Sequence, residues 1–244
     1  MPGLGFVYAD DVRDHPFRGV VPPVPGAPAP KPRVRPWQAQ ASLDQIETST
    51  CVGHGIKHCL MSAPIVDDPD DLPVDGEGRG QIVLLDEWPQ NDKEATLPDR
   101  ELLFGTSVRA GMKWLLAQGL IKEYVRCYSA TTVQVAVKTL TTVPVGTNWT
   151  GAMFTPTPEG IVRYNGTDVR GGHCFLCHWY DEKRGLFLFQ NSWGHTWGVD
   201  HPTQKNLKGK RGYFWIPGED FERLMGDDAE AWAGVELRHK RVVA

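Results

Sequence analysis

The chain has 244 residues, 41% hydrophobic and 23% charged, which is an ordinary globular balance and enough length for one large core or for two lobes sharing a cleft. Its formal charge of -4 gives no basic face for nucleic acid, and no apolar run approaches the roughly 18 residues of a membrane span. Neither a nucleic-acid nor a membrane partner is expected, and the start Met1-Pro2-Gly3-Leu4-Gly5-Phe6 lacks the basic, then long apolar, pattern of a signal peptide. The five cysteines, Cys51, Cys59, Cys127, Cys174 and Cys177, are odd in number and sparse, which fits a reducing compartment better than a secreted disulfide framework. Two glycosylation sequons, Asn148-Trp149-Thr150 and Asn165-Gly166-Thr167, are accordingly read as chance matches.

Residues 1–40 carry Pro22, Pro23, Pro25, Pro28, Pro30, Pro32 and Pro36, and proline removes backbone donors and fixes φ. An extended arm is predicted there, with Phe6, Tyr8, Phe17 and Trp37 as the side chains able to dock it onto a body. Val52, Ile56, Cys59 and Leu60 recur at helical spacing in 51–62, after the cap hydroxyls of Thr48, Ser49 and Thr50 and before Pro64. Residues 66–80, acidic and rich in Gly and Pro, read as a surface loop. A second helix is predicted over 101–118, with Leu102, Leu103, Val108, Met112, Leu115 and Leu116 on its apolar face and Gly119 as its stop. A short helix over 130–140 follows, and Val143-Pro144-Val145 begins a strand. Further strands are predicted at 175–180, 185–190 and 212–217, the first two joined by the polar turn Asp181-Glu182-Lys183-Arg184. Helices first and strands second imply an α+β protein with a helical lobe and a sheet lobe.

The chemistry lies in three places. Cys51 falls where the first helix begins, and free amide groups at a helix N-terminus favour a thiolate and can also meet a developing oxyanion. His173 follows Gly171-Gly172 at the start of one strand, and Asn191 follows the end of the next. If 174–180 and 185–190 pair as a hairpin, His173 and Asn191 become neighbours at its open end, as a base and the residue that orients it. Cys59, Cys174 and Cys177 are read as buried structural thiols. The Cys174-x-x-Cys177 spacing does not make a zinc site with His173 and His178, because neighbours on a strand point to alternate faces. No metal and no cofactor is therefore expected.

Gly172-His173 before an apolar strand, then Gln190-Asn191-Ser192-Trp193-Gly194-His195-Thr196-Trp197-Gly198, then Gly212-Tyr213-Phe214-Trp215-Ile216, resembles the second half of the papain-family cysteine peptidases. Gln45 stands six residues before Cys51, the family's spacing between oxyanion-hole glutamine and nucleophile. His173 lies 122 residues and Asn191 140 residues after Cys51, against a family range of about 130–150. The resemblance spans about residues 40–218. It implies a two-lobe α+β fold with the active-site cleft between a helical lobe, about 41–140, and an antiparallel β lobe, about 141–218, with 219–244 as a C-terminal extension. It implies Cys51 as nucleophile, His173 as general base and then acid, Asn191 as its orienter, and Gln45 with the Cys51 amide as the oxyanion hole. Trp193 would shield the His–Asn bond and border the substrate site.

The sequence departs from the family at Thr48-Ser49-Thr50-Cys51-Val52, which lacks the aromatic residue after the nucleophile and a neighbouring disulfide cysteine. The short arm, in place of a long helical propeptide, resembles divergent bacterial or phage relatives and suggests a cytoplasmic or virion-associated protein. The expected activity is thiol-dependent cleavage of peptide or isopeptide bonds in a peptide or protein substrate. Two alternatives are a papain-fold structural or binding module in a larger assembly such as a phage virion, and an amidase or peptidoglycan hydrolase on the same triad.

Overall fold

The computed structural model describes residues 4–8, 31–47, 49–65 and 105–235. Thr48, Phe17, the loop at 66–80 and the first turn of the predicted 101–118 helix lie outside the described residues. Four helices and six strands occur among them: α1 (Cys51–Met61), α2 (Val108–Ala117), β1 (Glu123–Arg126), α3 (Ala130–Thr139), β2 (Val143–Thr150), β3 (Val169–Asp181), β4 (Leu186–Gln190), β5 (Tyr213–Pro217), α4 (Gly218–Met225) and β6 (Glu230–Val235).

Local signals explain the helix ends. The Ser107 hydroxyl caps α2 by accepting from the Ala110 amide, and Gly119, at φ 68°, lets the chain turn away after it. Ser129 and Thr132 form a reciprocal capping box on α3. The expected hydroxyl cap of α1 does not form: Thr50 occupies the N-cap position without a side-chain cap bond. The amides of Cys51 and Val52 point instead at the Cys51 sulfur.

The strands form one antiparallel sheet in the order β1-β6-β2-β3-β4-β5. Period-two alternation sorts its side chains between two faces. On one face Val143, Val145, Phe175, Cys177, Phe187, Phe189, Phe214 and Ile216 pack with α3 and α4 into the largest core. On the other, Cys174, Leu176 and Trp232 meet α1 and α2, while Leu188, Tyr213 and Trp215 meet Ala39 and Leu207. Cys174 and Cys177 thus belong to different cores, and all five cysteines are free and buried. Gly55 allows α1 to lie close on β3, since a Cβ there would sit 2.8 Å from the Cys174 sulfur.

Two features were not anticipated. β6, from the segment read as an extension, inserts between β1 and β2, and β1 itself lies in the half expected to be helical. The arm docks in two stretches. Phe6 and Trp37 are buried, and Trp37 Nε1 donates to the Val137 carbonyl at 2.7 Å. Residues 37–45 then run across the sheet as a strap, held by Tyr213 Oη and Gln190 Nε2 on the Gln40 carbonyl at 2.7 and 3.0 Å.

Candidate active site

Cys51 is the first residue of α1 and is fully buried. Backbone N–H groups of Cys174, Gly5, Cys51 and Val52 surround its sulfur. The helix amides are the unsatisfied donors that every N-terminus carries. The Cys174 amide brings β3 to the same point, one residue from His173.

His173 and Asn191 meet at the open end of the β3–β4 hairpin, as the hairpin geometry predicts, with Leu176 opposite Gln190. His173 Nε2 and Asn191 Oδ1 are 2.7 Å apart, and Asn191 Oδ1 also accepts from the Ser192 amide at 2.8 Å. An oxygen so engaged makes Nε2 the protonated nitrogen and leaves Nδ1 bare. Nδ1 is buried without a hydrogen-bond partner. A neutral imidazole held in this tautomer can accept a thiol proton at Nδ1.

The ring is clamped by aromatics. Trp193 stacks on it at 4.7 Å and Trp149 meets it edge-on at 4.9 Å, while Trp193 also stacks on Phe154. Trp193 is 5% exposed and packs against the imidazole, beside the His173–Asn191 bond. Gln45 is buried beside the same corner: its amide donates to the Ser192 carbonyl at 2.8 Å, and its Oε1 accepts from the Ser192 hydroxyl. That bond fixes the flip of the side-chain amide, turning its N–H end away from Ser192. All five residues singled out in the sequence therefore fall in one region of the fold.

Residues 4–8 cover this region. The Phe6 amide donates to the Gly172 carbonyl at 2.9 Å, the Thr106 amide to the Gly5 carbonyl at 2.6 Å, and the Val7 amide to the Thr106 carbonyl at 2.8 Å. A strand-like segment is thus bonded on one side to the residue before His173 and on the other to the segment before α2. The approach is close enough to require glycine: a Cβ on Gly5 would lie 1.9 Å from the Ser49 carbonyl oxygen, and one on Gly146 would lie 2.3 Å from the Phe6 ring. The arm's sequence signalled docking through Phe6, but nothing in it specified where. Trp149, visible in sequence only within a sequon, is the other functional neighbour that was missed.

Covering the site has an electrostatic consequence. Burial pushes the Cys51 thiol up to about 11 despite the four amides, and burial lowers His173 to about 4 against the opposing Asn191 hydrogen bond, with His54 adding to the lowering. Both shifts favour the neutral pair. In this covered arrangement burial disfavours the thiolate, because the segment that excludes water also removes the solvation a thiolate needs. Among the described residues no cluster of His, Cys, Asp and Glu could hold a metal ion, and no helix is long and apolar enough to cross a membrane.

No family model and no curated protein matches the sequence. Solved structures do match. Xylellain, a cysteine protease from Xylella fastidiosa, superposes with a TM-score of 0.63 at 17% identity, over 97% of both chains. The fold is papain-like. Procathepsin B from Trypanosoma congolense matches at TM-score 0.57 and 10% identity, over 95% of this chain and 85% of its own. Bromelain from Ananas comosus, in complex with the E64 inhibitor, matches at 0.53 and 12%, over 81% and 94%. At these identities the likeness concerns the fold, and the chemistry rests on the residues.

Proposed function

We propose that this chain is a thiol hydrolase of peptide or isopeptide bonds, held latent by its own residues 4–8. The observation that carries the reading is the placing of His173: Nε2 is 2.7 Å from Asn191 Oδ1 and Nδ1 has no hydrogen-bond partner, one residue from the amide that touches the Cys51 sulfur. Once the covering segment leaves, water re-enters, the burial cost on the thiolate falls, and the helix N-terminus and imidazolium favour the ion pair. His173 Nδ1 takes the Cys51 proton, and the sulfur attacks the substrate carbonyl carbon. The Cys51 amide and the Gln45 side chain donate to the oxyanion. His173 returns the proton to the leaving amine, giving a thioester that water then hydrolyses with the same imidazole as base. Trp193 and Trp149 keep the ring in plane with Asn191. The five free cysteines support action in a reducing compartment.

The test is intact-mass analysis after incubation with E-64, using the full chain and a chain beginning at residue 31. An adduct on Cys51 that forms faster in the shortened chain and is absent in His173→Ala supports the reading. A second reading is favoured by the burial of Cys51 under the chain's own strand: a papain-fold binding module whose cleft holds a peptide without cutting it. Folded, reduced, shortened protein that binds a peptide but never gains an adduct or turnover would select that alternative.

A further inference from the structure

A cavity of about 390 Å³ opens on the β lobe, with no residue of the Cys51 region in its lining, where the arm at Arg33–Pro36, just before the strap, meets the β3–β4 turn beside Trp179 and Trp215. Five cations line it, Arg33, Arg35, Lys138, Lys183 and Arg184, against two acids, Asp181 and Glu182. Both acids are committed: Glu182 pairs with Lys138, and Asp181 Oδ1 accepts from the amides of Lys183 and Arg184, fixing the turn. Asp181 keeps its negative charge, so five cations against two acids leave the lining three positive charges in excess, and Arg33, Arg35, Lys183 and Arg184 form no ion pair with an acid among the described residues. An excess of like charge gathered in one concave lining attracts an anion.

Two of the four are already held in place. The Arg33 guanidinium lies 3.8 Å from the Trp37 ring centroid, with its backbone amide on the Lys138 carbonyl at 2.8 Å. Arg184 lies 4.6 Å from the centroid of Trp215, itself 5% exposed. Stacking on an indole fixes a guanidinium's plane and leaves its N–H edge to meet an anion. Arg33 Nε is buried and makes no hydrogen bond. A buried, unpaired donor on a charged group costs free energy unless an acceptor reaches it. At about 390 Å³ the cavity has room for more than one inorganic anion.

We infer that this cavity is a binding site for a compact polyanion, of the kind carried by a di- or triphosphate group on a small molecule. Arg33 and Arg184 grip its oxygens, while Arg35 and Lys183 close the rim. One wall comes from the arm at Arg33–Pro36, which leads into the strap, and the other from the β3–β4 turn, so the ligand ties the arm to the sheet. The strap leads on to Gln45, which gives the occupied cavity a physical connection to the candidate active site without sharing a residue with it.

The test is isothermal titration of the full chain with sodium tripolyphosphate at about 0.15 M ionic strength, with inorganic phosphate and sulfate titrated in parallel. Saturable binding of one tripolyphosphate per chain is expected, with a raised melting temperature. Arg33→Gln and Arg184→Gln should each weaken binding roughly tenfold or more, Arg33→Lys partly restoring it, while Arg170→Gln, an exposed arginine paired with Asp168 elsewhere on the lobe, should change nothing. Circular dichroism establishes that each variant is folded. Absence of binding, equal binding of sulfate at matched charge, or equal weakening by Arg170→Gln would each overturn the assignment.

Discussion

The covering segment makes the sharpest prediction. Phe6 is 7% exposed, with its ring against Gly146 and its backbone bonded to Gly172. Truncating it to alanine removes a buried aromatic side chain worth about 1.5–3 kcal/mol of closure. At a factor of ten per about 1.4 kcal/mol, the open fraction rises by roughly ten- to 150-fold. If E-64 reacts only with the open form, the pseudo-first-order rate of Cys51 labelling rises by the same factor, up to full opening. Gly5→Ala provides an independent check that leaves Phe6 in place. Its added Cβ meets the rigid Ser49 carbonyl oxygen, so the segment cannot seat and labelling should accelerate comparably. Labelling followed by intact mass over time reads both variants. Unchanged rates in both, with the proteins folded and Cys51 reduced, would refute the idea that residues 4–8 gate the thiol.

Three further outcomes follow from the site and core. Gln45→Ala, assayed in a chain with the covering segment removed, should lower kcat by about 10²–10³ with little change in KM; an unchanged kcat removes Gln45 from the oxyanion hole. Trp149→Ala, which strips a fully buried indole from contact with His173, Phe175, Trp193 and Phe214, should cost about 3–5 kcal/mol in urea unfolding, and a loss under about 1 kcal/mol would mean the aromatic cluster is not a keystone. Burial holds His173 at about 4 and His178 at about 3, below the ordinary 6.5 of an unfolded chain. The unfolded state therefore binds more protons in that window, so stability is complete above about pH 6.5 and falls as pH drops toward 4, by about 2 kcal/mol per histidine at pH 5. Urea midpoints that stay level between about pH 7 and pH 5 would contradict this.

Much of the site is legible because its determinants are local. The apolar spacing of Val52, Ile56, Cys59 and Leu60 specifies a helix, and its first residue is Cys51 whatever the helix packs on. Two strands joined by a four-residue polar turn bring His173 to Asn191 through hairpin geometry alone, even across the register shift between Cys177 and Trp179. Gln45 was legible only through family spacing, and its real anchor, the bonds to Ser192, joins residues far apart in sequence.

The sequence by itself determined helices α1 to α3, strands β2 to β5, the meeting of His173 with Asn191, the place of the thiol at a helix start and the sorting of Cys174 and Cys177 to opposite faces, because each depends on periodicity or on short-range connection. Tertiary structure alone decided that β6 inserts between β1 and β2, that Trp149 and Trp193 clamp the imidazole, that Arg33 and the β3–β4 turn cations line one cavity, and above all that the Gly5 amide reaches the Cys51 sulfur. These are pairings between distant segments. Their partners are set by which surfaces remain to be buried once the local elements exist, and that remainder is a property of the packed chain and not of any stretch of its sequence.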